Sequence, residues 1–189
     1  GSGGVLSHAP RREQSAKMLI DSFLPEGITS LAVDSIFMMP QLGVMANIEN
    51  KEIAEQARVA ALEVFEKDCL IRLGTCIAPV GKLSGSEIPL QVNLEFKNGE
   101  KKDIEVRYGE LIRIEAEYEE IKAVLTPAKG VDVGAGDGEQ ISTTIFGGQV
   151  GIVFDGRGRP LEIDASSSKR ISNLKKWSEA MNEYPEIGK

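Results

Sequence analysis

The sequence predicts an α+β fold, in which an N-terminal α/β unit of helix, strand and helix precedes a β-rich barrel or sandwich and a C-terminal helix. Three observations predict it. Apolar residues recur at helical spacing near both ends of the chain. Between them, short segments alternate apolar and polar residues, and glycine-rich turns separate these segments. Consecutive strands without an intervening helix are typical of barrels and sandwiches, so we divide the chain into residues 1–68, 69–165 and 166–189.

The first part is predicted to hold two helices and one strand. The first helix is expected over residues 10–23, because its proline suits a first turn and its apolar residues share one face. The apolar run 28–39 is expected to be a buried strand that ends in a turn at Pro40 and Gly43. A second helix is expected over 50–67, with its asparagine as the N-cap. The residues expected to face inward on it are Ile53, Ala57, Ala60, Ala61, Val64 and Phe65.

The second part is predicted to consist of strands. They are expected at residues 69–80, 90–96, 104–108, 111–116, 120–126, 139–146 and 149–155. An Asn-Gly pair invites a two-residue hairpin between the second and third strands, but that turn would place apolar residues opposite charged ones. A three-residue loop, 97–99, pairs Val92 with Ile104 instead and puts Gly99 at the left-handed position that such loops require. We therefore expect the longer loop.

The third part is predicted to be one amphipathic helix. Ile171, Leu174, Trp177 and Met181 form a stripe at helical spacing. We expect that stripe to pack on the rest of the chain and not to recruit a partner.

Charge and cysteine content exclude several classes of function. The net charge of −7 opposes nucleic-acid binding, which depends on lysine and arginine neutralising phosphates. No signal peptide or membrane-spanning apolar run is found. Cys69 and Cys76 are expected to be reduced, buried thiols, since a disulfide framework needs more cysteines. His8 is the only histidine, so a zinc site lacks ligands. A cytoplasmic location is the interpretation that fits.

Glycine-rich turns are the candidate sites for a ligand or partner. Their residues are Asp132, Gly134, Gly136, Gly147, Gly148, Asp155, Arg157 and Arg159. Arginine forks suit carboxylate or phosphate recognition, but they also form salt bridges that hold a turn in place. The loop 134–138 is no phosphate-binding motif, because no helix follows it. Three readings stay open: structural turns, a small-molecule binding module, and a hydrolase that would need Asp132 and Asp155 about 5–10 Å apart.

Five stretches carry a resemblance to a known family. They are GSGGVLSHAP at 1–10, LAVDSIFMMPQLGV at 31–44, LGTCIAPVG at 73–81, VDVGAG at 131–136 and GGQVGIVFDGRGRPL at 147–161. Together they resemble the C-terminal part of the MutL/GlmL proteins, which are associated with adenosylcobalamin-dependent glutamate mutase. These proteins are distinct from the mismatch-repair protein of the same short name.

The resemblance implies a non-catalytic part of a larger ATPase of the actin and heat-shock chaperone superfamily. Residues 1–68 would be the α/β remnant of its nucleotide-binding domain, and Gly1, Ser2, Gly3 and Gly4 would contact the nucleotide in the full-length protein. The phosphate loops and catalytic carboxylate would lie upstream, so we expect no catalytic residue, metal or cofactor in this fragment. ATP with Mg²⁺ is expected for the full-length protein, whose implied role is to reactivate a mutase by exchanging damaged cobalamin. Mutase subunits are the expected partners, and the alternative origin of the first four residues is an expression scar.

Overall fold

The computed structural model describes residues 1–184. In that part of the chain the helices are α1 (Gly4–Ser7), α2 (Arg12–Phe23), α3 (Met39–Ala46), α4 (Ala54–Val64) and α5 (Ser167–Met181). The strands are β1 (Gly27–Asp34), β2 (Leu70–Ala78), β3 (Val80–Gly81), β4 (Leu90–Glu95), β5 (Lys101–Val106), β6 (Leu111–Ile114), β7 (Glu120–Pro127), β8 (Val131–Asp132), β9 (Ile141–Phe146) and β10 (Gly151–Asp155). The α+β fold with a C-terminal helix is confirmed.

Within residues 1–184 the strands form two four-stranded sheets and a short ribbon. The central sheet has the order β1-β2-β10-β6, with β10 parallel to β2 and the other neighbours antiparallel. The outer sheet is antiparallel, in the order β5-β4-β7-β9, and β3 pairs with β8. The strands do not close into a barrel, so the sandwich is the architecture found.

The central sheet is covered on both faces. Cys76 and Val153 pack with α2 and α5, whereas their neighbours Ile77 and Phe154 pack against the outer sheet. This alternation follows from the two-residue period of a strand. The result is three layers: two helices, the central sheet and the outer sheet.

The hairpin between β4 and β5 has the predicted loop. Val92 pairs with Ile104, and the Phe96 amide donates a hydrogen bond of 2.9 Å to the Glu100 carbonyl. Gly99 has φ of 85°, the left-handed conformation that the three-residue loop requires. Matching the buried faces of the two strands therefore predicts the turn correctly.

The turn predicted at Pro40 and Gly43 is wrong, because both residues lie inside α3. The strand before it ends at Asp34, earlier than predicted. The Asp34 carboxylate then accepts hydrogen bonds from the backbone N–H groups of Met38 and Met39, at 3.2 and 2.9 Å. A proline in the first turn of a helix loses no hydrogen bond, so this capped start accommodates it.

The second helix starts later than predicted, and most of the residues predicted to face inward on it are not buried. Asn50 accepts a hydrogen bond from the Glu52 amide and α4 begins only at Ala54. Of the six residues predicted to face inward only Ala61 is buried, while the side chains of Ile53 and Val64 are 44% and 39% exposed. The cause is that α4 packs on α3 and on the turn that follows α4, and not on a sheet.

The predicted stripe of α5 is half correct. Trp177 and Met181 are buried in the helical layer, but Ile171 and Leu174 are 52% and 42% exposed. Only the second half of the helix therefore packs on the body.

Both predicted thiols are confirmed as free and buried. Among the described residues no helix combines the length and apolar character needed to cross a membrane.

Candidate functional site

The predicted site residues lie mainly at two opposite ends of the central sheet. β2 and β10 run parallel and finish at Ala78 and Asp155. We call this end the turn end, because it carries residues 155–160. The opposite end, where β1 finishes at Asp34, we call the loop end, because residues 1–4 are bonded to β1 there.

Two arginines at the turn end converge on one buried carboxylate. Asp155 is fully buried and accepts hydrogen bonds from the backbone amide, Nε and Nη2 of Arg157 and from Nη2 of Arg159, at 2.8–3.1 Å. Arg157 also lies 2.8 Å from Asp21 of α2. Arg159 donates through Nε to the carbonyl of Pro25, at 3.0 Å. Two positive charges thus meet two negative ones, and the network ties the turn to α2.

The pKa values of this network follow from its geometry. Burial alone would raise the pKa of Asp155, but the hydrogen bonds and charges of Arg157 and then Arg159 outweigh burial and lower it. For Arg157, burial acts to lower the pKa, while Asp155 and Asp21 raise it above its ordinary value. Asp155 and Arg157 therefore stay charged at neutral pH.

A cavity of about 430 Å³ lies beside this turn, with Arg157 and Trp177 in its wall. The Arg157 guanidinium lies 5.0 Å from the centre of the Trp177 ring, whose Nε1 donates to the carbonyl of Gly109 at 2.8 Å. Nη1 of Arg157 has no hydrogen-bond partner among the described residues and is buried. Glu162 and Asp164 also line the cavity. An anionic ligand would therefore meet carboxylates and an arginine that is already neutralised.

The Asp132 loop, also at the turn end, is held by its own carboxylate. Oδ1 of Asp132 accepts from the amides of Gly134 and Gly136, at 2.6 and 2.9 Å. The Gly136 bond and then the Gly134 bond lower the pKa of Asp132. Asp132 and Asp155 have no hydrogen-bond partner in common. Asp132 is bound by amides of its own loop and Asp155 by two arginines, so the two carboxylates belong to separate hydrogen-bond networks.

Glycine is required at positions 147 and 148, because backbone atoms of other segments lie where a Cβ would be. A Cβ on Gly147 would lie 2.0 Å from the Glu117 carbonyl oxygen, and one on Gly148 would lie 2.5 Å from the Leu73 carbonyl carbon. Gly148 donates to the Ala116 carbonyl, at 2.9 Å. These glycines belong to the packing of the two sheets, and the structure places them away from the arginine turn.

The Gly1–Gly4 loop at the loop end is bonded to the outer edge of β1. The nitrogen of Gly1 donates to the Ala32 carbonyl (2.9 Å), and the Asp34 amide donates to the Gly1 carbonyl (2.8 Å). Gly1 thus bonds to two residues of β1 that are two positions apart, which is the hydrogen-bond pattern of parallel strands. Gly1, Ser2 and Gly4 are exposed. The loop thus turns away from a parallel pairing at the carboxyl end of β1 and leads into α1 and α2.

Asp34 is the residue that sequence reasoning missed at this end. It is fully buried, and its side chain accepts from Ser2, Ile36, Met38 and Met39. Burial would raise the pKa of Asp34, but these hydrogen bonds, those of Met39 and Met38 first, lower it. The available signal was a lone carboxylate at the end of an apolar run and shortly before a proline.

No candidate metal site made of three or more His, Cys, Asp or Glu side chains is found in residues 1–184. The Gly1–Gly4 loop, which the sequence analysis predicts to contact a nucleotide in the full-length protein, has three of its four residues exposed. No protein-family model, no curated protein and no solved structure matches this chain.

Proposed function

We propose that this chain is the non-catalytic C-terminal part of a MutL/GlmL-like accessory ATPase, which assists or reactivates an adenosylcobalamin-dependent mutase. In the full-length protein, Gly1, Ser2, Gly3 and Gly4 would contact ATP and Mg²⁺ would accompany the nucleotide. The two free, buried thiols support a reducing, cytoplasmic setting.

The observation that carries the proposal is the position of the Gly1–Gly4 loop. The loop lies at the carboxyl end of β1, where Gly1 makes a single parallel-type bridge to that strand. In open α/β sheets, ligands bind outside the carboxyl ends of parallel strands. Gly3 is half-buried, and it has φ of 116° with open space where a Cβ would lie. Buried Asp34 holds Ser2, at 3.1 Å, and so fixes the shape of the loop.

The test is nucleotide binding by the full-length protein that carries this chain. Gly3→Ala should weaken the affinity for a fluorescent ATP analogue by about tenfold, because alanine disfavours the left-handed backbone of the loop. Gly99→Ala is the matched control, since Gly99 also has positive φ and open space but lies in the outer-sheet hairpin. Equal effects of the two variants would contradict the assignment of the loop.

The accessory role has a separate test. The full-length protein should co-purify with subunits of an adenosylcobalamin-dependent mutase in a manner that depends on ATP. Residues 1–189 alone should neither bind MgATP tightly nor hydrolyse it. ATP turnover by residues 1–189 would refute the non-catalytic assignment, and the absence of any mutase association would refute the accessory role.

The alternative, a small-molecule module built on Arg157 and Arg159, finds less support. Both guanidinium groups already bind Asp155, and the nearby cavity also carries two carboxylates.

A further inference from the structure

A cleft lies between the two four-stranded sheets at the loop end. It consists of two cavities, of about 390 and 140 Å³, which share Leu70, Arg72 and Tyr118 as lining residues. Ile71 and Leu73 of β2 belong to the helical core, so Leu70 and Arg72, which alternate with them, point toward the outer sheet. We call the two cavities together the Arg72 cleft.

One wall of the Arg72 cleft is the segment 115–119, which two glycines hold close. Gly148 donates a hydrogen bond of 2.9 Å to a carbonyl of this segment, and a Cβ on Gly147 would overlap another of its carbonyl oxygens. This approach places the Tyr118 ring beside the ring of Phe146, with 5.5 Å between the two centroids. Two glycines that the sequence singled out therefore shape the cleft.

Arg72 has a free guanidinium edge. Its Nη1 donates to the Glu66 carbonyl at 3.3 Å, and the guanidinium lies 5.1 Å from the centre of the Tyr118 ring. Within residues 1–184, Nε and Nη2 have no hydrogen-bond partner, no carboxylate pairs with the guanidinium, and neither nitrogen is fully buried. An arginine can bind a carboxylate through two parallel hydrogen bonds from such an edge. Arg72 thus differs from Arg157, whose guanidinium binds Asp155.

The smaller cavity suits an apolar group. Its wall includes the apolar side chains of Leu31, Ala32, Leu70 and Phe146, and its polar lining residues are Ser30, Arg72 and Tyr118. Its volume of about 140 Å³ is close to the roughly 150 Å³ of an apolar cavity that holds benzene. A group the size of a phenyl ring therefore fits.

The charges in the cleft favour a monoanion. Arg72 and Glu117 are the charged residues among those that line the two cavities. Glu117 is exposed in the wall of the larger cavity, and its charge would oppose a second negative charge on a ligand of Arg72, such as a phosphate dianion carries. A carboxylate has a single negative charge at neutral pH, so it is the anion that fits.

We propose that the Arg72 cleft binds a small monocarboxylic acid with one apolar group of about phenyl size. The carboxylate accepts hydrogen bonds from Nε and Nη2 of Arg72, and the apolar group enters the smaller cavity against Leu31 and Phe146. Concave, mostly apolar sites with a few polar groups that fix orientation are typical of small-molecule binding. The inference goes beyond the proposed function and does not depend on it, since it involves no nucleotide.

The test titrates the 189-residue chain with three probes and follows binding by NMR. Phenylacetate carries the carboxylate and the ring, phenylacetamide has the same shape without the charge, and acetate lacks the ring. Phenylacetate should bind with a Kd of about 1 mM or tighter, as expected for a ligand of about ten non-hydrogen atoms. Phenylacetamide and acetate should each bind at least about tenfold more weakly, because each loses one of the two contacts.

Variants separate the Arg72 cleft from general attraction to arginine. Arg72→Gln should weaken phenylacetate binding by about tenfold, because glutamine lacks the charged edge. Arg12→Gln is the matched control, since Arg12 is also half-buried, donates to one carbonyl, that of Ser7 at 2.9 Å, and forms no ion pair within residues 1–184. Ala32→Leu should fill the smaller cavity and so remove the preference for phenylacetate over acetate. Circular dichroism checks that each variant is folded.

Three outcomes would overturn the proposal: no binding of phenylacetate, equal binding of phenylacetate and phenylacetamide, or equal losses in Arg72→Gln and Arg12→Gln. If Arg72→Gln does not fold, Ala32→Leu decides, and a preference for the ring that survives this change would refute the site. Because the titration contains neither ATP nor mutase, none of these outcomes bears on the Gly1–Gly4 loop.

Discussion

Replacing Asp155 by alanine should strongly destabilise the fold. The change removes the acceptor of four hydrogen bonds and leaves the guanidinium groups of Arg157 and Arg159 buried. Among the described residues, Asp21 is then the one carboxylate still paired with them, beside the carbonyls of Pro25 and Gly158. Breaking a buried ion pair from one side costs about 3–5 kcal/mol. With a slope of about 2 kcal/mol per molar urea, the midpoint of unfolding should fall by about 2 M. Trp177 is the only tryptophan and lies over Arg157, so its fluorescence reports the transition at the network itself.

Glu95→Ala is the matched control. Glu95 also faces two cations, Lys101 and Lys122 at 3.4 Å each, but on the solvent-facing side of β4, where solvent screens them. Its replacement should hardly move the midpoint. Equal shifts for the two variants would refute the reasoning that burial makes the Asp155 network important.

The pH dependence of the Asp155→Ala effect has a defined sign. Because the folded pKa of Asp155 lies below its ordinary value, its contribution to stability is fully present above about pH 4 and is lost as the pH falls through the folded pKa. The difference between the wild-type chain and Asp155→Ala should therefore stay constant between neutral pH and about pH 5 and shrink below about pH 4. A difference that grows on acidification would contradict the assignment.

Two further predictions follow from buried backbone and buried sulfur. Gly74→Ala should lower the free energy of unfolding by about 3 kcal/mol or more, because its Cβ would lie 1.8 Å from the Gly151 carbonyl oxygen. Gly99→Ala, which has open space around the new Cβ, should lower it by about 1 kcal/mol. Urea titration measures both losses, and similar values would contradict the packing argument. Burial raises the pKa of the Cys76 thiol to about 12. A thiol reagent at pH 8 should therefore label Cys76 only when urea unfolds the chain. Rapid labelling of the folded chain would contradict the burial of Cys76.

The sequence predicted those features that local rules determine. Strand parity predicted the 97–99 loop, because each residue on a strand faces either the core or solvent. Helix α3 was missed because Pro40 and Gly43 were taken as turn residues, although a proline can also begin a helix. The Asp34 carboxylate binds the amides of Met38 and Met39 at the start of α3, and the direction of that side chain cannot be deduced from the sequence. The exposed face of α4 was missed because helical spacing identifies an apolar face without showing what covers it.

The candidate site, too, was predictable only where local sequence rules determine it. Asp155, Arg157 and Arg159 alternate along one turn, so the sequence placed them together. Their burial could not be predicted, because it depends on contacts with Asp21 and Trp177, which belong to two other elements, α2 and α5. Burial decides the chemistry here, since it converts two apparent ligand-binding arginines into members of a neutral internal network.

The shared central sheet limits how the chain can be shortened. β2 and β10 each supply side chains to both apolar cores, Cys76 and Val153 to the helical side and Ile77 and Phe154 to the other. A fragment of residues 69–165 would retain β2 to β10 but lose α2, α5 and the edge strand β1. Its helical face would then meet water, and such an uncovered apolar face promotes aggregation. Expression trials should therefore keep both flanking helices even when only the strands are of interest.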